Sequence, residues 1–205
     1  MIEFFLNAYK DTPVYMIVLE AITFVFGILS VYLAKKENIW VYPTGLVATV
    51  ITVYLFYNVG YFGDAIVNVY YSIMSFYGWF MWSRAGKENV RLEISRVNNR
   101  EILTGLGIFV LTIFVIYGIY NVFGYEIKIE NYLDIFTSGI FFTAMWYMAL
   151  KKVESWILWI VGDVISIPLC LHRELGMLAL QYLIFTILAV QAFVQWKKLL
   201  NSKTT

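Results

Sequence analysis

Cysteine and histidine each occur once in this chain, proline three times, and charged side chains make up only 14% of its 205 residues. Each shortage removes a class of chemistry. Cys170 by itself can form neither an intrachain disulfide nor a cysteine metal cluster. With His172 as the only imidazole there is no pair of histidines, no Ser-His couple and no H-E-x-x-H run, so the usual hydrolytic constellations are missing and the chain does not read as an enzyme. His172 itself reads as an interfacial loop residue. A phosphate-binding G-x-x-x-x-G-K-[ST] loop is also absent, and neither metal nor cofactor is expected.

Apolar residues are abundant, at 61%, where soluble domains hold roughly 45–50%. That excess makes the chain an integral membrane protein, expected as one membrane domain over residues 1–205. A net charge of +1 points to no nucleic-acid partner, so the information lies in where the charges sit. Residues 1–11 lack the basic start and small-residue cleavage site of a signal peptide and read as a short surface segment.

Seven apolar runs can each cross a hydrocarbon core of about 30 Å at a rise of about 1.5 Å per residue. They cover Pro13 to Ala34, Ile39 to about Asn58, a third ending near Trp82, Ile102 to Phe123, about Tyr132 to Leu150, Val153 to Leu171, and Leu175 to Trp196. Ser83 to Glu101 is the one long polar stretch and reads as a loop. Trp40, Trp79 and Trp82 near span ends suit an aromatic belt. Basic residues divide twelve to three between alternate sides, the larger set including Lys35, Lys36, Arg84 to Arg100, Lys151, Lys152, Lys197 and Lys198. The positive-inside rule then places the N-terminus outside and the C-terminus in the cytosol.

A shift of 116 positions superposes Lys35-Lys36 on Lys151-Lys152, Trp40 on Trp156 and Gly60 on Gly176. The chain therefore reads as an all-α membrane protein of two parallel three-helix repeats, residues 14–82 and 132–196, joined by a linker helix at 102–123. Three helices would invert a following copy, and one added helix restores its orientation. Parallel triplets about a central cavity are a transporter architecture.

The candidate site centres on the sixth span. Trp156, Trp159 and Asp163 stand at i, i+3 and i+7 and share a helical face. A carboxylate near the centre of a membrane helix costs about 2.5–3.5 kcal/mol on insertion scales, so Asp163 is expected to face protein or a watery cavity. Asn68, Tyr71 and Ser75 share a face of the third span, as Gln181 and Phe185 do in the seventh. Trp40, superposed on Trp156, joins the candidate contacts. Each has a plainer reading: Trp156 as an anchor beside Lys152, and Asn68, Tyr71 and Gln181 as interhelical hydrogen bonds. Glu20 reads as a structural or gating carboxylate, and Pro43 and Pro168 as kinks that let a triplet rock.

The two triplets about a linker, with W-x-x-W-x-x-x-D at Trp156, Trp159 and Asp163, Ile167-Pro168-Leu169 after it, and N-x-x-Y at Asn68 and Tyr71, resemble the nicotinamide riboside transporter (PnuC) family over essentially the whole chain. Members are full-length relatives of the SWEET sugar transporters, take up vitamin precursors without phosphorylating them, and have been found as trimers. The resemblance implies a homo-oligomeric carrier in the cell (inner) membrane with nicotinamide riboside as substrate and the lipid bilayer as its surroundings. Thiamine, riboflavin and deoxynucleosides are substrates of similar proteins, and thiamine is likewise a planar cation. A seven-helix receptor is the rival of another class. Its retinal variant needs a lysine in the last span, which has none, and a receptor is not expected to repeat itself. No Lys or Arg lies inside a span, so a phosphorylated substrate would be desolvated at large cost. No relay of ionisable groups is evident either, so the expectation is alternating access by facilitated diffusion, with the product trapped by phosphorylation in the cytosol.

Overall fold

The computed structural model describes residues 12–58, 62–84, 92–122, 129–173 and 175–202. Seven helices are described: α1 (Val14–Lys35), α2 (Val41–Asn58), α3 (Phe62–Arg84), α4 (Asn99–Val122), α5 (Ile129–Ala149), α6 (Glu154–His172) and α7 (Gly176–Asn201). Five of them, α1, α2, α4, α6 and α7, are long and apolar enough to cross a membrane. The other two, α3 and α5, are 23 and 21 residues long, enough to span, but carry Asn68, Tyr70 and Tyr71 or Asn131 and Asp134. Hydroxyls inside the helices bond back to the preceding turn, as Thr23 does to the Leu19 carbonyl and Thr137 to that of Leu133, which satisfies them where water is absent.

Helix α4 starts three residues before the apolar run, at Asn99, because a capping box sets its end. The Asn98 backbone N–H donates to the Glu101 carboxylate at 2.8 Å and the Glu101 N–H donates to Asn98 Oδ1 at 3.0 Å. The 92–98 segment before it lies along the turn joining α5 to α6. Ser95 N–H donates to the Lys151 carbonyl, Val153 N–H donates to the Ser95 carbonyl, and Ile94 is buried.

The helices close a ring in the order α1, α2, α3, α5, α6, α7 and back to α1, each packed on the next, while α4 stands outside it against α5. Exchanging α1 with α5, α2 with α6 and α3 with α7 maps this order onto itself. The atomic contacts recur with the same symmetry at a shift of 114 residues rather than 116. The Trp82 indole N–H donates to the Ala149 carbonyl at 3.2 Å and that of Trp196 to the Lys35 carbonyl at 3.3 Å. Tyr42 meets Trp82 edge-on at 5.1 Å, and Trp156 meets Trp196 edge-on at 5.3 Å. Glu37 and Lys151 hold the same left-handed φ, 53° and 52°, after matching helix-end bonds to Ala34 and Met148. Trp40 is thus no counterpart of Trp156. It is 63% exposed, whereas Trp156 is 1% exposed and its counterpart is Tyr42.

The main apolar core lies at the lysine-rich end, where Tyr42, Trp82, Ile94, Trp156 and Trp196 pack with small residues such as Ala34, Ala189 and Ala192. Gly78 on α3 admits the Tyr42 ring, since a Cβ there would lie 2.2 Å from it, whereas nothing stands within 4 Å of a Cβ at Gly107. Gly78→Ala is expected to destabilise the protein by about 1–3 kcal/mol, seen as a lower unfolding temperature in detergent, with Gly107→Ala unchanged or slightly more stable. Equal transitions in the two variants would contradict the packing described.

Candidate functional site

Deeper than the tryptophan core, three helices of the ring turn aromatic planes toward one another. Phe141 of α5 stacks on Trp159 of α6 with centroids 5.4 Å apart and planes 29° off parallel, and on Tyr182 of α7 at 6.1 Å and 1°. Tyr182 in turn meets Phe185 edge-on at 6.4 Å. This stack depends on Gly162. A Cβ at that position would lie 2.3 Å from the Phe141 ring, so any larger residue would push α5 and α6 apart. From the other side of the ring come Tyr71, which meets Phe142 edge-on at 5.8 Å, and Tyr70, which stacks on Phe142 at 3.7 Å and donates its hydroxyl to the Phe142 carbonyl.

Asp163 follows Trp159 by one turn of α6 and is 1% exposed. Its Oδ1 is buried and has no hydrogen-bond partner. Tyr71 lies within electrostatic reach of both Asp163 and Tyr182. The position that the two-fold exchange relates to Asp163 is Thr49, whose hydroxyl shares a hydrogen bond of 2.9 Å with Ser72 Oγ, and Ser72 also bonds the Asn68 carbonyl. Hydroxyls are therefore satisfied on one side of the ring while a carboxylate oxygen is left over on the other. Gln181 is half-buried and lies against α1 at Gly27.

The expected residues thus separate into groups. Asp163 follows Trp159 on α6 and lies within electrostatic reach of Tyr71, with Asn68 one turn before Tyr71 on α3, Gln181 on α7 and Ser75 buried near Gly45. Trp156 shares the face of Asp163 but packs in the core against Trp196, and Trp40 is at the surface, outside the site. Pro43 is the third residue of α2, in the first turn, where the missing N–H has no helical partner to lose, so it does not kink the helix. Pro168 does lie inside α6. Glu20 is half-buried in α1, and its two-fold counterpart Asp134 pairs with Arg173. The two cavities described, of about 590 and 130 Å³, open at the lysine-rich end among residues such as Lys35, Gln191 and Lys198 or Arg96, Glu154 and Lys197, away from Asp163.

Phe141, Tyr182 and Thr49 were not among the candidates. Phe141 is one of many aromatic residues in an apolar run, and only its neighbour across the helix interface marks it out. Thr49 is detectable only once the 114-residue register is in hand.

Chemically, three near-parallel ring planes beside an unpartnered carboxylate suit a flat aromatic ligand carrying positive charge or hydroxyl donors. Trp156→Ala is expected to cost about 3–5 kcal/mol of stability as a core truncation, while Trp159→Ala leaves the unfolding transition near that of the parent. Calorimetry or fluorescence-monitored melting of the two purified variants distinguishes them, and a Trp156→Ala protein as stable as the parent would refute the core assignment.

Comparison with known proteins gives a consistent picture. The profile of a family described as nicotinamide mononucleotide transporter matches residues 17–198. The nicotinamide riboside transporter PnuC of Escherichia coli (strain K12) is 24% identical over 205 aligned residues, which cover 87% of this chain and 84% of that protein. The riboflavin/roseoflavin transporter RibM of Streptomyces davaonensis is 19% identical over 178 residues, 84% of this chain and 81% of that one. The crystal structure of the vitamin B3 transporter PnuC matches 96% of this chain and 87% of its own with a TM-score of 0.74 at 23% identity, which establishes a common fold.

Proposed function

We propose that this chain, which belongs to the nicotinamide mononucleotide transporter family, is a multi-pass membrane carrier whose substrate is unphosphorylated nicotinamide riboside. The observation that carries the reading is Asp163, fully buried with an unpartnered Oδ1 next to the Trp159, Phe141 and Tyr182 planes. Nicotinamide riboside offers a planar cationic ring to the aromatic faces and to the carboxylate, and ribose hydroxyls and a carboxamide to Tyr71, Asn68 and Gln181. A cation against an aromatic face contributes roughly 0.5–2 kcal/mol.

The description of the family names the mononucleotide, but a phosphate needs a cationic partner to replace its water. Every Lys and Arg of the seven helices stands within the first or last five residues of its helix. The neutral flavin ring named for one relative would stack equally well but gains nothing from the charge of Asp163. We read transport as facilitated diffusion by alternating access, with net uptake sustained by phosphorylation in the cytosol, and the working unit, on the strength of the family resemblance, as a homo-oligomer of three chains.

Purified protein in proteoliposomes tests this. Nicotinamide riboside is expected to equilibrate without an imposed ion gradient, nicotinamide mononucleotide to be carried at least about a hundredfold more slowly, and Asp163→Asn to lose substrate affinity by roughly tenfold or more while keeping its unfolding temperature. Comparable rates for the two compounds, or unaltered affinity in Asp163→Asn, would overturn the site. Accumulation that requires a proton or sodium gradient would overturn the uncoupled mechanism.

The basic asymmetry supports an outside N-terminus and a cytosolic C-terminus. Of its twelve residues Lys87, Arg91 and Lys203 lie outside the described residues, as do Lys10 and Lys128 of the opposite side. A cysteine placed at Ser95 is expected to resist an impermeant thiol reagent applied to intact cells and to react in inverted vesicles. Labelling from outside would reverse the topology.

A further inference from the structure

At the lysine-rich end the turn joining α1 to α2 meets the turn joining α5 to α6 across the middle of the ring. Lys151 Nζ lies 3.1 Å from Glu37 Oε2 and 4.4 Å from the centre of the Trp82 ring. Glu37 and Lys151 are each other's counterparts under the exchange of triplets, so this ion pair sits on the two-fold axis itself. Around it the Trp82 and Trp196 indoles donate to the carbonyls of Ala149 and Lys35, each reaching from one triplet to the other. The turn of the second triplet is also strapped from outside. Lys152 Nζ bonds the Glu101 carboxylate at 2.7 Å, and the 92–98 segment pairs with it at Ser95.

We propose that Glu37, Lys151, Trp82 and Trp196 form the gate at the lysine-rich end, which opens when the two turns separate about the axis. This rests on the alternating-access reading above. The ion pair and the two indole hydrogen bonds between the triplets are polar and replaceable by water, as a reversible closure requires, and the Trp82 and Trp196 rings, 6.4 Å apart, must part with them. The closed arrangement also buries two polar atoms without partners, Tyr42 Oη and Trp156 Nε1, again counterparts of one another. Opening lets water reach both, which keeps closure from being over-stabilised. The axial position makes a distinctive requirement. Since the two sites are equivalent and share one backbone conformation, exchanging their charges regenerates the same pair, whereas reversing either charge sets like charges against each other.

The test combines two readouts. Amide hydrogen exchange over residues 33–42 and 147–156 is expected to quicken by about tenfold in Glu37→Lys and in Lys151→Glu and to return to the parent rate in the double exchange. If a reversal proves too unstable to purify, Glu37→Gln and Lys151→Gln give the same comparison at smaller amplitude. Exchange rates that do not change in the single variants, or that the double variant fails to restore, overturn the proposal. In a Cys170→Ala background, Glu37→Cys with Lys151→Cys joined by a short reducible thiol crosslinker is expected to stop nicotinamide riboside uptake into proteoliposomes, to retain binding, and to recover on reduction. Transport at the parent rate with the crosslink intact overturns the gate. If the parent itself carries no nicotinamide riboside, the substrate reading fails instead, and the gate stands or falls on the exchange rates.

Discussion

Hydrocarbon offers no hydrogen bonds, and this one condition explains most of how the chain is arranged. Hydroxyls in the spans call for carbonyls, which Thr23, Thr52, Thr112 and Thr137 find one turn back along their own helices. Each carboxylate must be walled in by protein, and Asp163 is 1% exposed, within electrostatic reach of Tyr71 on another helix. The ring of six helices supplies that enclosure. Helix α4, which carries no charge after Glu101, can stand outside it against α5.

Within the ring, the two triplets share a scaffold and differ in chemistry. The shared part is the tryptophan at the end of α3 and α7, the edge-on aromatic partner, and the carbonyl that accepts the indole N–H. The different part lies deeper. Gly27 and Gly45 on one side stand where Phe141 and Trp159 stand on the other, and Thr49 stands where Asp163 does. A symmetric arrangement would hold two carboxylates, at the cost of a second desolvated charge, or none. One acidic, aromatic side and one hydroxyl side are what the unsymmetrical ligand proposed above, a charged flat ring with a polyhydroxylated arm, would call for.

Much of this was legible in the sequence, and the physical reasons for the remainder are specific. Helix number followed from hydropathy, because length and apolarity are what a bilayer selects. Asp163 and Trp159 were visible because a carboxylate in an apolar run is costly enough to need a reason. The α4 start was missed by three residues, although Asn98-Asn99-Arg100-Glu101 is a capping box in plain view. The repeat register was missed by two residues for a deeper reason. Matching identical letters aligned Lys35-Lys36 with Lys151-Lys152, but residues that meet on a two-fold axis contact their own counterparts. Identical lysines there would repel, so the positions are filled by Glu37 and Lys151, and the conspicuous lysine pairs pull the alignment away from the register that pairs Trp82 with Trp196. Trp40 and Trp156 look alike for the same misleading reason. One lies at the surface and the other in the core, where Tyr42 is its true counterpart.

The strength of the closure at the lysine-rich end bears on the uncoupled alternating access proposed above. The Glu37 and Lys151 side chains are 31% and 13% exposed, so solvent screens the pair and its contribution is in the range of about 0–1 kcal/mol. Each indole hydrogen bond contributes about 0.5–1.5 kcal/mol net. These polar bonds together contribute a few kcal/mol, beside the apolar contacts of the core that Trp82 and Trp196 also join. A ligand need only bind the two states with affinities differing by a similar amount to redistribute them. A buried, networked ion pair worth several kcal/mol more would make opening rarer and exchange between the two states slower. A weak, partly hydrated one on the axis is compatible with a gate driven by thermal motion and by substrate binding alone.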